Sequence, residues 1–110
     1  MDADFSFTNL TTADLTRAYL HSANLTGASL TGEYLTGANL TSATWTAVQL
    51  KSAANVQDIN LTGNTMSGWD LSHVNFQGAK LQNTDLNGAN LHGANLTGAV
   101  LELSLIHISE

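Results

Sequence analysis

Residues 23–42 read Ala23-Asn24-Leu25-Thr26-Gly27, Ala28-Ser29-Leu30-Thr31-Gly32, Glu33-Tyr34-Leu35-Thr36-Gly37, Ala38-Asn39-Leu40-Thr41-Ser42. A leucine recurs every fifth residue, a small residue stands two before it, and glycine or serine stands two after it. A period of five matches neither the 3.6 of an α-helix nor the 2 of a strand. It suits a chain that turns a corner every five residues and sends two side chains of each unit inward.

The pattern extends in both directions. Large apolar centres fall at Phe5, Leu10, Leu15, Leu20, Leu25, Leu30, Leu35, Leu40, Trp45 and Leu50. After a slip of one residue they resume at Val56, Leu61, Met66, Leu71, Phe76, Leu81, Leu86, Leu91, Leu96, Leu101 and Ile106. Alanine takes the small slot in most units, from Ala3, Ala13 and Ala18 to Ala89, Ala94 and Ala99. Asn or Asp commonly lies between the small residue and the centre, as at Asn24, Asp70 and Asn95. All nine glycines stand two residues after a centre, on both sides of the slip. A residue that tolerates unusual backbone angles therefore marks one fixed corner of each unit.

Ala23-Asn24-Leu25-Thr26-Gly27, Ala38-Asn39-Leu40-Thr41-Ser42 and Ala89-Asn90-Leu91-His92-Gly93 match the A(D/N)LXX motif. On these units the chain resembles the pentapeptide-repeat family over residues 3 to 102, with weaker units between about 54 and 78. The resemblance implies an all-β fold, a right-handed quadrilateral parallel β-helix with four units and twenty residues per coil. It places Phe5, Leu25, Trp45, Met66, Leu86 and Ile106 on a first face and Leu10, Leu30, Leu50, Leu71 and Leu91 on a second. Leu15, Leu35, Val56, Phe76 and Leu96 form the third, and Leu20, Leu40, Leu61, Leu81 and Leu101 the fourth. About five coils at a strand spacing of ~4.8 Å give a rod roughly 25 Å long. Alanine at the second inward slot keeps so narrow an interior from being overfilled.

The slip predicts a one-residue bulge or short loop among Lys51, Ser52 and Ala53. Glu33, Asn64 and Trp69 stand in small slots. A buried unpaired carboxylate is costly, so Glu33 is expected to twist outward or distort its corner. Trp69 is expected to swing out or to sit at an enlarged corner. Residues 54 to 78 are expected to be the least regular part of the rod.

Residues 1–102 form the repeat domain in this reading, and residues 103–110 stand apart. Leu103 to Glu110 resembles the translation of a transposon-end sequencing adapter, which predicts a non-native tail and a natural chain that continues past Glu102. The expectation is a fragment of a longer bacterial protein, read from metagenomic sequence. No capping helix is legible at either end, so end-to-end self-association through open coils is expected.

The composition narrows the function. Only 11% of residues are charged, so Thr, Asn, Ser and Gln must keep the outside polar. Three basic residues and a net charge of −6 disfavour direct nucleic-acid binding. The absence of cysteine excludes disulfides and thiolate metal sites. No apolar run is long enough for a membrane span and no secretory signal is legible, so the cytoplasm is the default compartment.

No catalytic, cofactor-binding or metal-binding residue is assigned, and no cofactor is expected. His73 and His92 fall near one face in adjacent coils, but without a third ligand the four histidines (His21, His73, His92, His107) read as solvated surface. No nucleophile, base and acid can be grouped by spacing. The Asn-x-Thr sequences at Asn9, Asn24, Asn39, Asn60 and Asn95 follow from the repeat itself.

The function expected is a non-enzymatic scaffold or protein-interaction module whose partner and partner-binding residues are unknown, with Tyr19 and Tyr34 as possible contact aromatics. The resemblance supplies an alternative, mimicry of DNA toward a type II topoisomerase. The charge speaks against it, because 25 Å of duplex carries about fifteen negative charges at one per ~1.7 Å. The acids Asp4, Asp14, Glu33, Asp58, Asp70 and Asp85 are scattered over several faces. A last alternative is an ice-binding surface on Thr11/Thr31, Thr16/Thr36 and Thr26/Thr46, which also suit exposed strand positions.

Overall fold

The computed structural model describes residues 2–105. Ile106 and His107, each singled out above, lie outside the described residues.

Each five-residue unit is a turn. The carbonyl of a centre accepts the amide three residues on, as in Ala28 N to Leu25 O at 2.9 Å. The residue two after the centre is left-handed, with φ near +70° at Gly27. A positive φ at the third turn position is the type II pattern, which explains why glycine recurs there. Among the described residues eight non-glycine residues adopt the same conformation, Arg17, His73 and Asn83 among them.

The turns stack into a parallel solenoid. Asp4 bridges Asn24, Asn24 bridges Thr44, Asp70 bridges Asn90 and Lys80 bridges Val100. These pairs are twenty residues apart, four units to the coil. Tyr34–Asn55 and Asn39–Asn60 are twenty-one apart, where the extra residue is taken up. The four columns of centres form the core. Leu25, Leu35, Leu40, Leu61, Met66 and Leu71 are fully buried, and Ala23, Ala38 and Ala79 fill small slots. Ile59 also occupies a small slot, and its column neighbours are Ala38 and Ala79, so bulk at one level is offset by alanine above and below.

The inserted residue does not make a bulge at 51–53. Its chain segment is α1, Ala47–Ser52, a helix that replaces a whole corner. Thr46 caps it and Gln49 completes a capping box, its Oε1 accepting the Thr46 amide at 2.8 Å. The turn of α1 carries Val48, in the small-slot register, out to solvent. Trp69 lies twenty-one residues later in that column. The vacated space explains how an indole fits there, half-buried and edge-on to Trp45 with ring centroids 6.2 Å apart.

Residues 54–78 keep the five-residue period. Asn55, Asn60, Thr65, Asp70, Asn75 and Lys80 each make a bridge, five residues apart. Departures are not spread through this stretch but lie at α1, at residues 12–15 and in the absent backbone ladder between residues 43–57 and 62–76. Nor does Glu33 turn outward: it is 2% exposed. Its Oε1 accepts the amides of Tyr34 at 3.0 Å and Leu15 at 3.3 Å. Among the described residues two after a centre, Thr12 is the β-branched one, and it does not adopt the left-handed conformation that the others in this coil share. Ala13, which should point inward beside Glu33 in the same column, is exposed. Asn64 is no misfit, since its Nδ2 donates to Leu40 O at 2.9 Å and its Oδ1 accepts Trp45 Nε1 at 3.2 Å. The longest extent of the molecule is 37 Å, greater than the rod length expected.

Candidate functional site

The polar surface largely bonds to itself. Asn24 Oδ1 accepts the amide of Thr26 at 3.0 Å and its hydroxyl at 2.6 Å. Asn9, Asn39, Asn60 and Asp70 do the same for Thr11, Thr41, Thr62 and Ser72. This is an Asx-type turn bond, and it accounts for Asn or Asp before the centre and Thr or Ser after it. The same bonds hold the carboxyls of Asp4, Asp14 and Asp70 below the usual aspartate range. Ser6 acts on Asp4 through its hydroxyl first, Thr16 on Asp14 through its amide first, and Ser72 on Asp70 through its hydroxyl first.

One junction between coils is different. Residues 58–105 are laddered to each other on every face, with bonds such as Met66 N to Asp85 O, Leu71 N to Asn90 O and Phe76 N to Asn95 O. By contrast, no backbone hydrogen bond joins residues 43–57 to residues 62–76. The junction is laddered only on the fourth face, where Leu61 N donates to Lys80 O at 2.8 Å and Lys80 N to Ile59 O at 2.9 Å. On the first and second faces side chains bridge it. Trp45 donates to Asn64 and meets Trp69, and Lys51 Nζ lies 3.4 Å from Asp70 Oδ2 and 3.0 Å from Ser72 Oγ.

This seam opens beside α1 as a cleft of about 400 Å³ lined by Lys51, Ala54, Val56, Ser72, His73 and Asn75 among others. Val56 and Asn75 have no backbone partner for their amides, although their equivalents do: Leu35 N donates to Asn55 O, and Asn95 N to Val74 O. The cause is local. α1 occupies the corner where a strand bridge would form, and Gln49 plugs its inner side by donating through Nε2 to Leu25 O at 2.5 Å and Ala28 O at 2.9 Å.

The residues marked from the sequence are dispersed. Tyr19 and Tyr34 are 76% and 59% exposed, on the fourth and third faces. Tyr19 stacks on His21, whose Nδ1 lies 2.6 Å from Thr41 Oγ1. His73 and His92 are brought together, edge to face, with ring centroids 5.6 Å apart. Among the described residues no group of three or more His, Cys, Asp or Glu could hold a metal ion, and no helix is long and apolar enough to cross a membrane. The seam itself was not foreseen. Its signal was the Thr46-x-x-Gln49 capping box immediately before the slip, a helix start inside a β-repeat.

The sequence pattern of the family described as pentapeptide repeats matches residues 1–41 and 70–104, in eight copies and over more than half the chain. The chain belongs to the pentapeptide-repeat family. Its unmatched stretch contains α1 and the side of the seam formed by residues 43–57.

Three solved structures are similar to it. HetL, a pentapeptide repeat protein involved in heterocyst differentiation regulation in the cyanobacterium Nostoc, is 29% identical over 90% of this chain and 51% of its own, with a TM-score of 0.40. Rfr23 of the cyanobacterium Cyanothece is 25% identical over 96% of this chain and 78% of its own, at 0.48. A pentapeptide repeat protein of the Arabidopsis thaliana thylakoid lumen is 27% identical over 93% of this chain and 57% of its own, at 0.43. The chain thus spans about half the length of HetL. No curated protein matches it.

Proposed function

We propose that this chain is a non-enzymatic scaffold, a right-handed quadrilateral β-helix that binds an extended segment of a protein partner at the seam beside α1. The observation that carries the reading is the missing ladder between residues 43–57 and 62–76, in a solenoid otherwise held coil to coil by backbone bonds. Unpaired strand edges recruit added strands. Here the amides of Val56 and Asn75 flank a cleft that an extended backbone would enter. The net charge of −6 favours a neutral or basic segment over an acidic one.

Amide exchange with and without a synthetic decapeptide copying Ala89–Gly98, a neutral strand of the repeat itself, tests this. The expected result is slowed exchange at Val56 and Asn75 with no change at Leu35 or Asn95. Unchanged exchange at saturating peptide would overturn it, as would slowing confined to the end coils.

DNA mimicry is less well supported. A duplex 37 Å long carries about 22 charges at one per ~1.7 Å, against a net −6 here. The ice-binding reading is weakened by the hydroxyls of Thr11, Thr26, Thr41 and Thr62, each already donated to a neighbouring Asn.

A further inference from the structure

We propose that His73 and His92 form a two-histidine chelate for a divalent late first-row transition ion such as Ni²⁺ or Zn²⁺, bridging two coils, with water completing the coordination. The proposal is independent of the seam reading. The two residues are nineteen apart in sequence, and His73 N donates to His92 O at 2.8 Å, which sets their register. Both side chains are exposed. Unlike His21, neither ring has a hydrogen-bond partner among the described residues, so their nitrogens are available to an ion.

The spacing suits one ion between the rings. With metal–nitrogen bonds of about 2.0–2.1 Å, each ring centroid sits roughly 3.2 Å from a shared ion, and the two centroids about 5.2–5.5 Å apart at tetrahedral to trigonal angles. The observed separation is 5.6 Å. Little movement is needed. The ring of His73 lies against Gly93, where a Cβ would stand 2.5 Å from Nδ1, so the glycine makes room for it. His73 itself is left-handed, at φ 63°, with its backbone held in the ladder. Imidazole ligands select Zn, Cu and Ni over Mg and Ca, and with only two of them the site is weaker than one built from three protein ligands.

Titration of the whole chain with Ni²⁺ tests the assignment, followed by calorimetry and by the thermal midpoint. Substitutions compatible with the turn are available. Asn83 adopts the same left-handed conformation at the position equivalent to His73, and Thr97 occupies the position equivalent to His92. The expected result is one ion per chain, a midpoint that rises with Ni²⁺ but not Mg²⁺, and at least tenfold weaker binding in either His73→Asn or His92→Thr. His21→Asn should bind as the unaltered chain does. Equal binding by the single variants would overturn the chelate, and so would loss of the Ni²⁺ effect with His21→Asn alone.

Discussion

Glu33 Oε1 accepts the amide of Leu15 at 3.3 Å, a bond that stands where the coil-to-coil ladder should run. The flanking centres show the regular arrangement: Leu10 N donates to Ser29 O and Leu20 N to Asn39 O. At the level between them Leu15 N turns to the carboxylate. Tyr34 N, whose equivalent Asn39 N bonds Ala18 O, goes to the same oxygen. The other oxygen, Oε2, is buried with no partner.

Glu33→Ala restores the repeat's own residue, removes the unpartnered oxygen and frees both amides for the ladder. Replacing a buried charge with an apolar group is often stabilising, and removing an unsatisfied buried group is worth about 1–3 kcal/mol. A rise in the urea midpoint is expected. Thr12→Gly should relieve the same corner, because glycine enters the left-handed region that a β-branched residue resists. The two positions share one distortion, so their combined effect should differ from the sum of the singles. A fall in the midpoint with Glu33→Ala would mean that the two amide bonds outweigh the burial of the acid.

Much of this architecture is legible in the residues alone. The period, the glycine corners and the alanine slots each point to the same turn, so they reinforce one another. The exceptions depend on other coils. Asn64 looked like a polar residue in an apolar slot because its partners, Leu40 O and Trp45 Nε1, belong to the coil before it. Thr84 and Ser104 follow it in the same column and donate to Leu61 O and Leu81 O, so a polar seam runs inside the solenoid. The fit of Trp69 depends on Val48 leaving its column, which depends in turn on α1. Spacing counts residues and cannot show that a stacked neighbour has been withdrawn.

Gly32 and Gly93 separate two demands on the same corner. Both are left-handed, at φ +73° and +75°. A Cβ on Gly32 meets nothing within 4 Å, so Gly32→Ala should cost only the backbone strain of about 1–2 kcal/mol. Gly93→Ala carries the same strain and also displaces the His73 ring. Urea midpoints should fall for both variants, while Ni²⁺ binding should weaken for Gly93→Ala alone. Weakened binding in Gly32→Ala would show that strain, and not displacement of the ring, disturbs the pair.

Acid should loosen the coil at the Asp corners. Hydrogen bonds from Ser6, Thr16 and Ser72 lower the folded-state pKa of Asp4, Asp14 and Asp70. The folded state therefore binds fewer protons than the unfolded one near the ordinary aspartate value of about 3.9. Their contribution is complete above that value and is lost as pH falls through the lower folded values. The urea midpoint should be flat with respect to these three groups from pH 7 to about 5 and should drop below about 4. Replacing all three with Asn, which makes the same turn bond at Asn24 and Asn39, should flatten that drop. An unchanged acid limb would assign it to other carboxyls.

Gln49 should matter more than its place on a six-residue helix suggests. It is 8% exposed, donates to two carbonyls of the preceding coil and accepts the Thr46 amide. Thr46→Ala removes the cap and should cost about 1 kcal/mol. Gln49→Ala opens a cavity and removes the buried bonds to Leu25 O and Ala28 O as well as the one to the Thr46 amide, so it should cost more, about 2–3 kcal/mol. Gln49→Glu keeps the acceptor but reverses the side chain's role toward Leu25 O and Ala28 O, setting a carboxylate against two carbonyls. It should be the most damaging of the three. If its urea midpoint matched that of Thr46→Ala, the donors of Gln49 would be dispensable, and α1 would be held by its cap and by the burial of Leu50.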